Sequence, residues 1–229
     1  MRFFRGPALF IMLQIIVPFS PAQQHADVRL QLVIPGQPQG DAPPAAAWLK
    51  PINGTPELPF PPKRYALLQK NRMFTPHLLV IPVGSIVDFP NADPFFHNVF
   101  SLFDGKRFDL GLYEAGSDKQ VTFSREGVSY IFCNIHPEMS AVVVALSTSL
   151  YAIADTNESV VIHAVAAGDY ELSIWVEGVP QPILKALSRT IHVAGSNMDL
   201  GHIRIPIAPA KSHNNKFGDD YDTRPKQPY

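Results

Sequence analysis

The only cysteine in this 229-residue chain, Cys133, opens the run Cys133-Asn134-Ile135-His136-Pro137-Glu138-Met139. A histidine follows at the third position and a methionine at the sixth, while His97 stands well upstream. Each residue alone has an ordinary reading. A lone cysteine packs as a small buried hydrophobe, a methionine fills core space, and a histidine sits satisfied or exposed. Together they offer one thiolate, two imidazoles and one thioether. Soft sulfur with borderline nitrogen suits copper, and a His₂Cys set with a weak axial Met is the arrangement that binds it for electron transfer. Pro137 stiffens the connection by fixing its own φ, and a stiff ligand set suits a metal that changes valence without moving its donors.

Those side chains need strands to aim them. Val128–Phe132 precedes Cys133 and Ala141–Leu146 follows Met139; both are apolar, β-branched segments, and the three donors lie on the tight loop between them. His97 opens a further strand candidate, His97–Phe103, which can approach the same point from elsewhere in a sandwich. Leu78–Val83, Ser85–Phe89 and Gln120–Phe123 extend the series, with turn signals at Gly84, Asp104-Gly105, Glu114-Ala115-Gly116 and Glu126-Gly127. Short strands spaced in this way predict an all-β, antiparallel sandwich. Val160–Val165, Tyr170–Val176, Thr190–Val193 and His202–Ile205 predict a second, smaller β unit, with Gly168-Asp169 in the connection between the first two. Residues 27–34 alternate as a half-buried strand does, Ala45–Leu49 is a weaker candidate, and 53–64 is turn-rich linker. No amphipathic helix is expected.

With these residues in view, 75–146 resembles the cupredoxins, the plastocyanin-like blue copper proteins. The stretches that carry the likeness are Val83-Gly84-Ser85-Ile86-Val87-Asp88-Phe89-Pro90-Asn91, His97-Asn98-Val99 and Cys133 to Met139, whose short C-x₂-H-x₂-M loop is most similar to that of amicyanin. The resemblance implies a Greek-key sandwich holding one type 1 copper. It implies that His97 and His136 bind through imidazole nitrogen and Cys133 through sulfur, with Met139 as the axial ligand. Asn98 would tie the ligand loops together and hydrogen-bond toward the sulfur. His136 would be the partly exposed ligand where a redox partner, a cytochrome or a dehydrogenase, docks. The two-unit pattern is similar to bacterial plastocyanin-like proteins often grouped with methylamine utilisation. Residues 154–176 resemble the carboxypeptidase-regulatory-like sandwich, although the glycine usual in its first turn is missing around Asn157–Ser159.

The organisation expected from this is a signal peptide over 1–22, N-terminal strands and a Pro-rich linker over 27–62, a cupredoxin domain over 64–149, a small β-sandwich over 150–208 and a disordered polar tail over 209–229. Residues 27–62 are candidates for the first strands of the second unit, which would make the cupredoxin an insertion in a discontinuous module. Arg2 and Arg5, the apolar stretch Ala8–Phe19 and Ser20-Pro21-Ala22 read as an export signal. The stretch is short of the ~20 residues a spanning helix needs, so no membrane insertion is expected after its removal. Removal takes the 19 basic residues to 17 against 20 acidic ones, a formal charge of −3, which gives no footing for nucleic acid. Periplasmic or secreted location follows.

The expected function is single-electron transport rather than catalysis. Copper oxidases place histidines beside the equivalent cysteine, whereas Phe132 and Asn134 flank Cys133 and no His-x-His pair occurs. A copper carrier, buffer or sensor with the same ligands, and a structural envelope sandwich, are the competing readings. Of the other residues, His77, His163, His192 and His202 are expected to be structural or exposed, and His25 and His213 solvent-facing. Trp48 and Trp175 belong to cores. Phe95, Phe96 and Phe103 either collar the metal or pack in a core. Asp104, Lys106, Arg107 and Asp109 form a solvated loop.

Overall fold

The computed structural model describes residues 25–36, 42–102, 105–206 and 216. The expected export signal, Phe103, Asp104, His213 and the expected tail apart from Lys216 lie outside the described residues. Along the chain run β1 (His25–Val33), β2 (Ala45–Ile52), β3 (Arg64–Ala66), β4 (Leu68–Lys70), β5 (Met73–Thr75), β6 (Leu78–Pro82) and β7 (Ile86–Asp88). Then come β8 (His97–Ser101), β9 (Phe108–Tyr113), β10 (Gln120–Thr122), β11 (Gly127–Cys133) and β12 (Ser140–Leu146). The remainder is β13 (Tyr151–Ile153), β14 (Ser159–Ala166), β15 (Gly168–Val176), the short helix α1 (Gln181–Leu187), β16 (Arg189–Val193) and β17 (Met198–Arg204). The fold is all-β, as the strand spacing predicts. Among the described residues no helix is long and apolar enough to cross a membrane.

Two sheets enclose the core around Cys133. One has the order β6-β12-β11-β8-β9 and the other β10-β7-β3. Between them Ile81, Val87, Phe89, Val99, Phe123, Ile131, Cys133, Met139, Ala141 and Val143 form one buried cluster. Three of the sheets are mixed rather than purely antiparallel, which corrects the expectation. β6 lies parallel to β12, β3 to β7, and β1 to β17. Parallel neighbours need a long crossover, and everything from β7 to β11 lies between β6 and β12.

β12 explains why its sequence, Ser-Ala-Val-Val-Val-Ala-Leu, shows no alternation of apolar and polar residues. Ala141, Val143 and Ala145 face the cysteine core. Val142, Val144 and Leu146, with Leu78, Val80 and Val128, face a second core on the opposite side of the same sheet. A strand buried on both faces reads as a continuous apolar run.

The second core is closed by two further sheets, β14-β1-β17 and β13-β2-β15-β16. Strands from both ends of the chain interleave there: β1 pairs with β14 and β17, and β2 with β13 and β15. Ala45, Ala46, Ala47 and Leu49 of β2 are buried beside Tyr170, Leu172, Ile174 and Trp175 of β15. Trp48 is only partly buried against the same core. Polar contacts join the halves across the shared sheet. Trp175 Nε1 donates to the Tyr130 hydroxyl at 3.1 Å, Lys50 pairs with Glu126 at 2.8 Å, and His77 meets the Glu177 carboxylate at 2.9 and 3.0 Å.

Two elements depart from expectation. Helix α1 exists, with a proline in its first turn and Leu184 as its buried residue. One buried side chain leaves no periodic stripe to detect. The second is β9, which carries Asp109 out of the expected solvated loop and onto the edge of the large sheet. Gly111, at φ 66°, breaks its pattern.

Candidate metal centre

Cys133 is the last residue of β11 and pairs across to Val99 of β8. Side chains on a strand share a face at every second residue, so His97, two before Val99, points to the same side as Cys133. The loop after Cys133 is closed by two backbone bonds. Cys133 N–H donates to the Met139 carbonyl at 3.1 Å, and Met139 N–H to the His136 carbonyl at 3.0 Å. This turn folds His136 and Met139 back over the strand end.

Three predicted ligands converge as a result. His97 Nδ1 is 3.6 Å and His136 Nδ1 3.5 Å from Cys133 Sγ. The two rings have centroids 4.9 Å apart at 64°. One donor atom from each of the three lies within 4.8 Å of the others. His97, Cys133 and Met139 are each fully buried, while His136 is only partly so. Met139 belongs to the same core cluster as Cys133.

This geometry fits a metal ion. Bonds of ~2.0 Å to nitrogen and ~2.3 Å to sulfur close a nitrogen–sulfur gap of that size at roughly 110°. The sulfur faces two imidazole nitrogens, and a single S–H can donate to only one of them. A thiolate with a cation between the three satisfies all at once. Two nitrogens and one sulfur with a methionine nearby are donors for copper rather than for magnesium or calcium, which take oxygen.

An aromatic ring covers both imidazoles. Phe95 packs against both rings, at 5.2 Å from His97 and 5.6 Å from His136, and the Arg72 guanidinium lies 5.4 Å from the Phe95 ring centre. Of the two readings open for these phenylalanines, Phe95 takes the position of a collar against both rings, whereas Phe96 is half exposed. At the end of β9, the buried Tyr113 hydroxyl donates to the Phe89 carbonyl at 2.9 Å and accepts from Gln69 Nε2. Burial pushes its phenol well above the usual value.

Sequence reasoning missed the polar frame behind the ligands. His97 Nε2 lies 2.9 Å from the carboxylate of Asp93, which is itself buried. Burial pushes the Asp93 carboxyl upward, but the amides of Arg72 and Asn71 and the His97 ring outweigh this and hold it below its ordinary range. Asn98, beside His97, directs its side-chain amide to Asp109 at 2.8 Å. Asp109 also accepts from Gly111 N–H and pairs with Lys216 at 2.9 Å. Burial again raises this carboxyl and the Lys216, Asn98 and Gly111 donors lower it further than burial lifts it. Lys216 N–H in turn donates to the Asn134 side chain, next to Cys133, at 3.1 Å. Among the other described histidines, His163 pairs with Asp27 and His192 with Asp169.

No family model matches the chain, and no curated protein matches it. Among solved structures it is similar to a purple cupredoxin from Nitrosopumilus maritimus, at 27% identity over 35% of this chain and 96% of that one, with a TM-score of 0.32. Amicyanin from Paracoccus versutus is 21% identical over 36% of this chain and 80% of that one, with a TM-score of 0.33. A Cu-containing nitrite reductase from Thermus scotoductus is 23% identical over 50% of this chain and 28% of its own, with a TM-score of 0.34. This chain therefore spans little more than a quarter of the reductase. The assignment of the centre rests on its donors. His97, Cys133 and His136, with Met139 nearby in the same buried core, make a group consistent with a type 1 copper site.

Proposed function

We propose that this protein is an exported carrier of single electrons, working in the periplasm, with one copper held by His97, Cys133 and His136 and with Met139 as the axial ligand. Copper bound there supplies a Cu(II)/Cu(I) couple. The chain's own contribution is rigidity and exclusion of water. His97 is fixed on a strand, Cys133 at a strand end, and His136 and Met139 in a loop closed by backbone bonds. A frame of this kind keeps the donors in place in both valence states, which is what rapid outer-sphere exchange requires. The observation that carries the reading is the convergence of two imidazole nitrogens on one buried sulfur at 3.5 and 3.6 Å.

His136 is the ligand nearest solvent. Met73, Phe96 and Leu112, at 57%, 51% and 58% exposure, are the large exposed hydrophobics on the elements flanking the centre. Met73 follows Arg72, Phe96 precedes His97, and Leu112 pairs with Asn98. A cytochrome or dehydrogenase docked on this rim would meet the His136 edge, and no bond-breaking role falls to the site. Residues 25–52 and 151–205 act as the two halves of one scaffolding module into which the copper-binding sandwich is inserted; the interleaved pairing of β1 and β2 with β13 to β17 supports this.

The test is voltammetry of the copper-loaded protein together with stopped-flow exchange against a small c-type cytochrome. A reversible one-electron wave and fast exchange support the proposal. Copper that binds but cycles irreversibly or exchanges only over minutes points instead to storage or transport of the ion.

A further inference from the structure

Behind His97 lies a construction that the ligand set alone does not explain. Asn71 and Arg72 form the two-residue turn between β4 and β5, and both have positive φ, 56° and 58°. A turn of this type normally takes asparagine and glycine, and arginine in that conformation is uncommon. The turn aims two successive backbone N–H groups at one carboxylate. Asn71 N–H donates to Asp93 Oδ1 at 2.6 Å and Arg72 N–H to Asp93 Oδ2 at 2.9 Å. Consecutive amides so arranged make a seat for an anion. Asp93 N–H donates to the Asn91 side chain, whose own amide donates to the Phe95 carbonyl, so the carboxylate is fixed from behind as well.

The same Oδ2 faces His97 Nε2 at 2.9 Å. Both Asp93 oxygens already accept backbone N–H groups, which sets Asp93 as the acceptor toward His97, so Nε2 carries the proton and Nδ1 keeps its lone pair, aimed at the sulfur side. We infer that Asp93, seated on the Asn71-Arg72 turn, is a positioning residue that fixes the His97 tautomer and ring angle and, through the imidazole, strengthens its donation to a Cu(II) ion. This rests on the copper reading proposed above. It adds that the balance between the two copper valences is set partly from outside the ligand set. A carboxylate partner makes the ring more basic and so favours the higher valence.

The experiment begins with the metal-free protein. Two-dimensional ¹⁵N–¹H spectra of the histidine rings should show His97 as a single tautomer protonated at Nε2. A ring protonated at Nδ1 overturns the inference, whatever copper does. Asp93→Asn keeps an oxygen for the turn amides and loses the charge. It should mix the His97 tautomers, weaken Cu(II) binding about 10-fold or more, weaken Cu(I) binding less, and raise the reduction potential. An unchanged tautomer and potential in a variant that unfolds at the wild-type temperature would show that Asp93 only braces the turn. Absence of copper uptake by wild-type protein would defeat the functional reading while leaving the tautomer result standing.

Discussion

Residues 64–149, produced alone, should fail to hold the structure they have in the full chain. Six side chains on the outer face of the large sheet, Leu78, Val80, Val128, Val142, Val144 and Leu146, are at most 9% exposed and belong to the second core. Burying a valine or leucine side chain is worth about 1.5–3 kcal/mol, so uncovering six costs about 9–18 kcal/mol. Domains of this size have only about 5–15 kcal/mol in hand. The loss of the Trp175–Tyr130 and His77–Glu177 contacts adds to the deficit. The assay compares the full chain with 64–149 by gel filtration, binding of a hydrophobic dye and urea unfolding followed by near-UV dichroism. The excised piece should bind dye, self-associate and lack a cooperative transition. A monomeric piece that unfolds cooperatively within about 2 kcal/mol of the parent would refute the shared-wall argument.

Copper should stabilise the fold by mass action. At a free concentration 100 times its Kd the gain is about 2.7 kcal/mol, which for a chain of this size moves Tm by about 5–11 °C; Cys133→Ser should abolish that shift in a scanning calorimeter while leaving the metal-free Tm within a few degrees. Met139→Leu should keep the intense colour and raise the potential, because a weak donor favouring Cu(II) is lost; a lower potential in voltammetry would count against Met139 as axial ligand. His77 is raised above its ordinary value, chiefly by its hydrogen bond to Glu177 and despite burial. Its contribution is therefore fully present below the unfolded-state value and lost as pH rises through the folded one. Glu177→Gln should lower the urea midpoint clearly near pH 6 and very little near pH 9, and an equal loss at both would sink the linkage.

The donor set was legible in the sequence because its chemistry is carried by residue type. A lone cysteine with His and Met at fixed offsets, between two β-branched runs, leaves few alternatives. Strands β8, β11 and β12 were legible from apolar runs bounded by turn signals. What those runs concealed was direction of burial. Val142 and Val143 look alike in sequence, yet one packs toward the second core and the other toward Cys133, and only pairing on both faces distinguishes them. The polar frame was hidden for another reason. Asp93 and Asn71-Arg72 lie in turns without periodicity, and their meeting depends on β4 and β5 lying beside the 89–93 stretch. Asp109, read as solvated, is bound on β9 by groups distant in sequence.

The central claim is that Cys133, His97 and His136 bind a single copper ion together. Purified protein titrated with Cu(II) and followed by visible absorption and electron paramagnetic resonance tests it most directly. One copper per chain, an intense thiolate-to-copper band and a narrow parallel hyperfine splitting are expected, all lost in Cys133→Ser. Weak absorption with the wide splitting of a nitrogen–oxygen site, or an intense band that survives the loss of the sulfur, would contradict it.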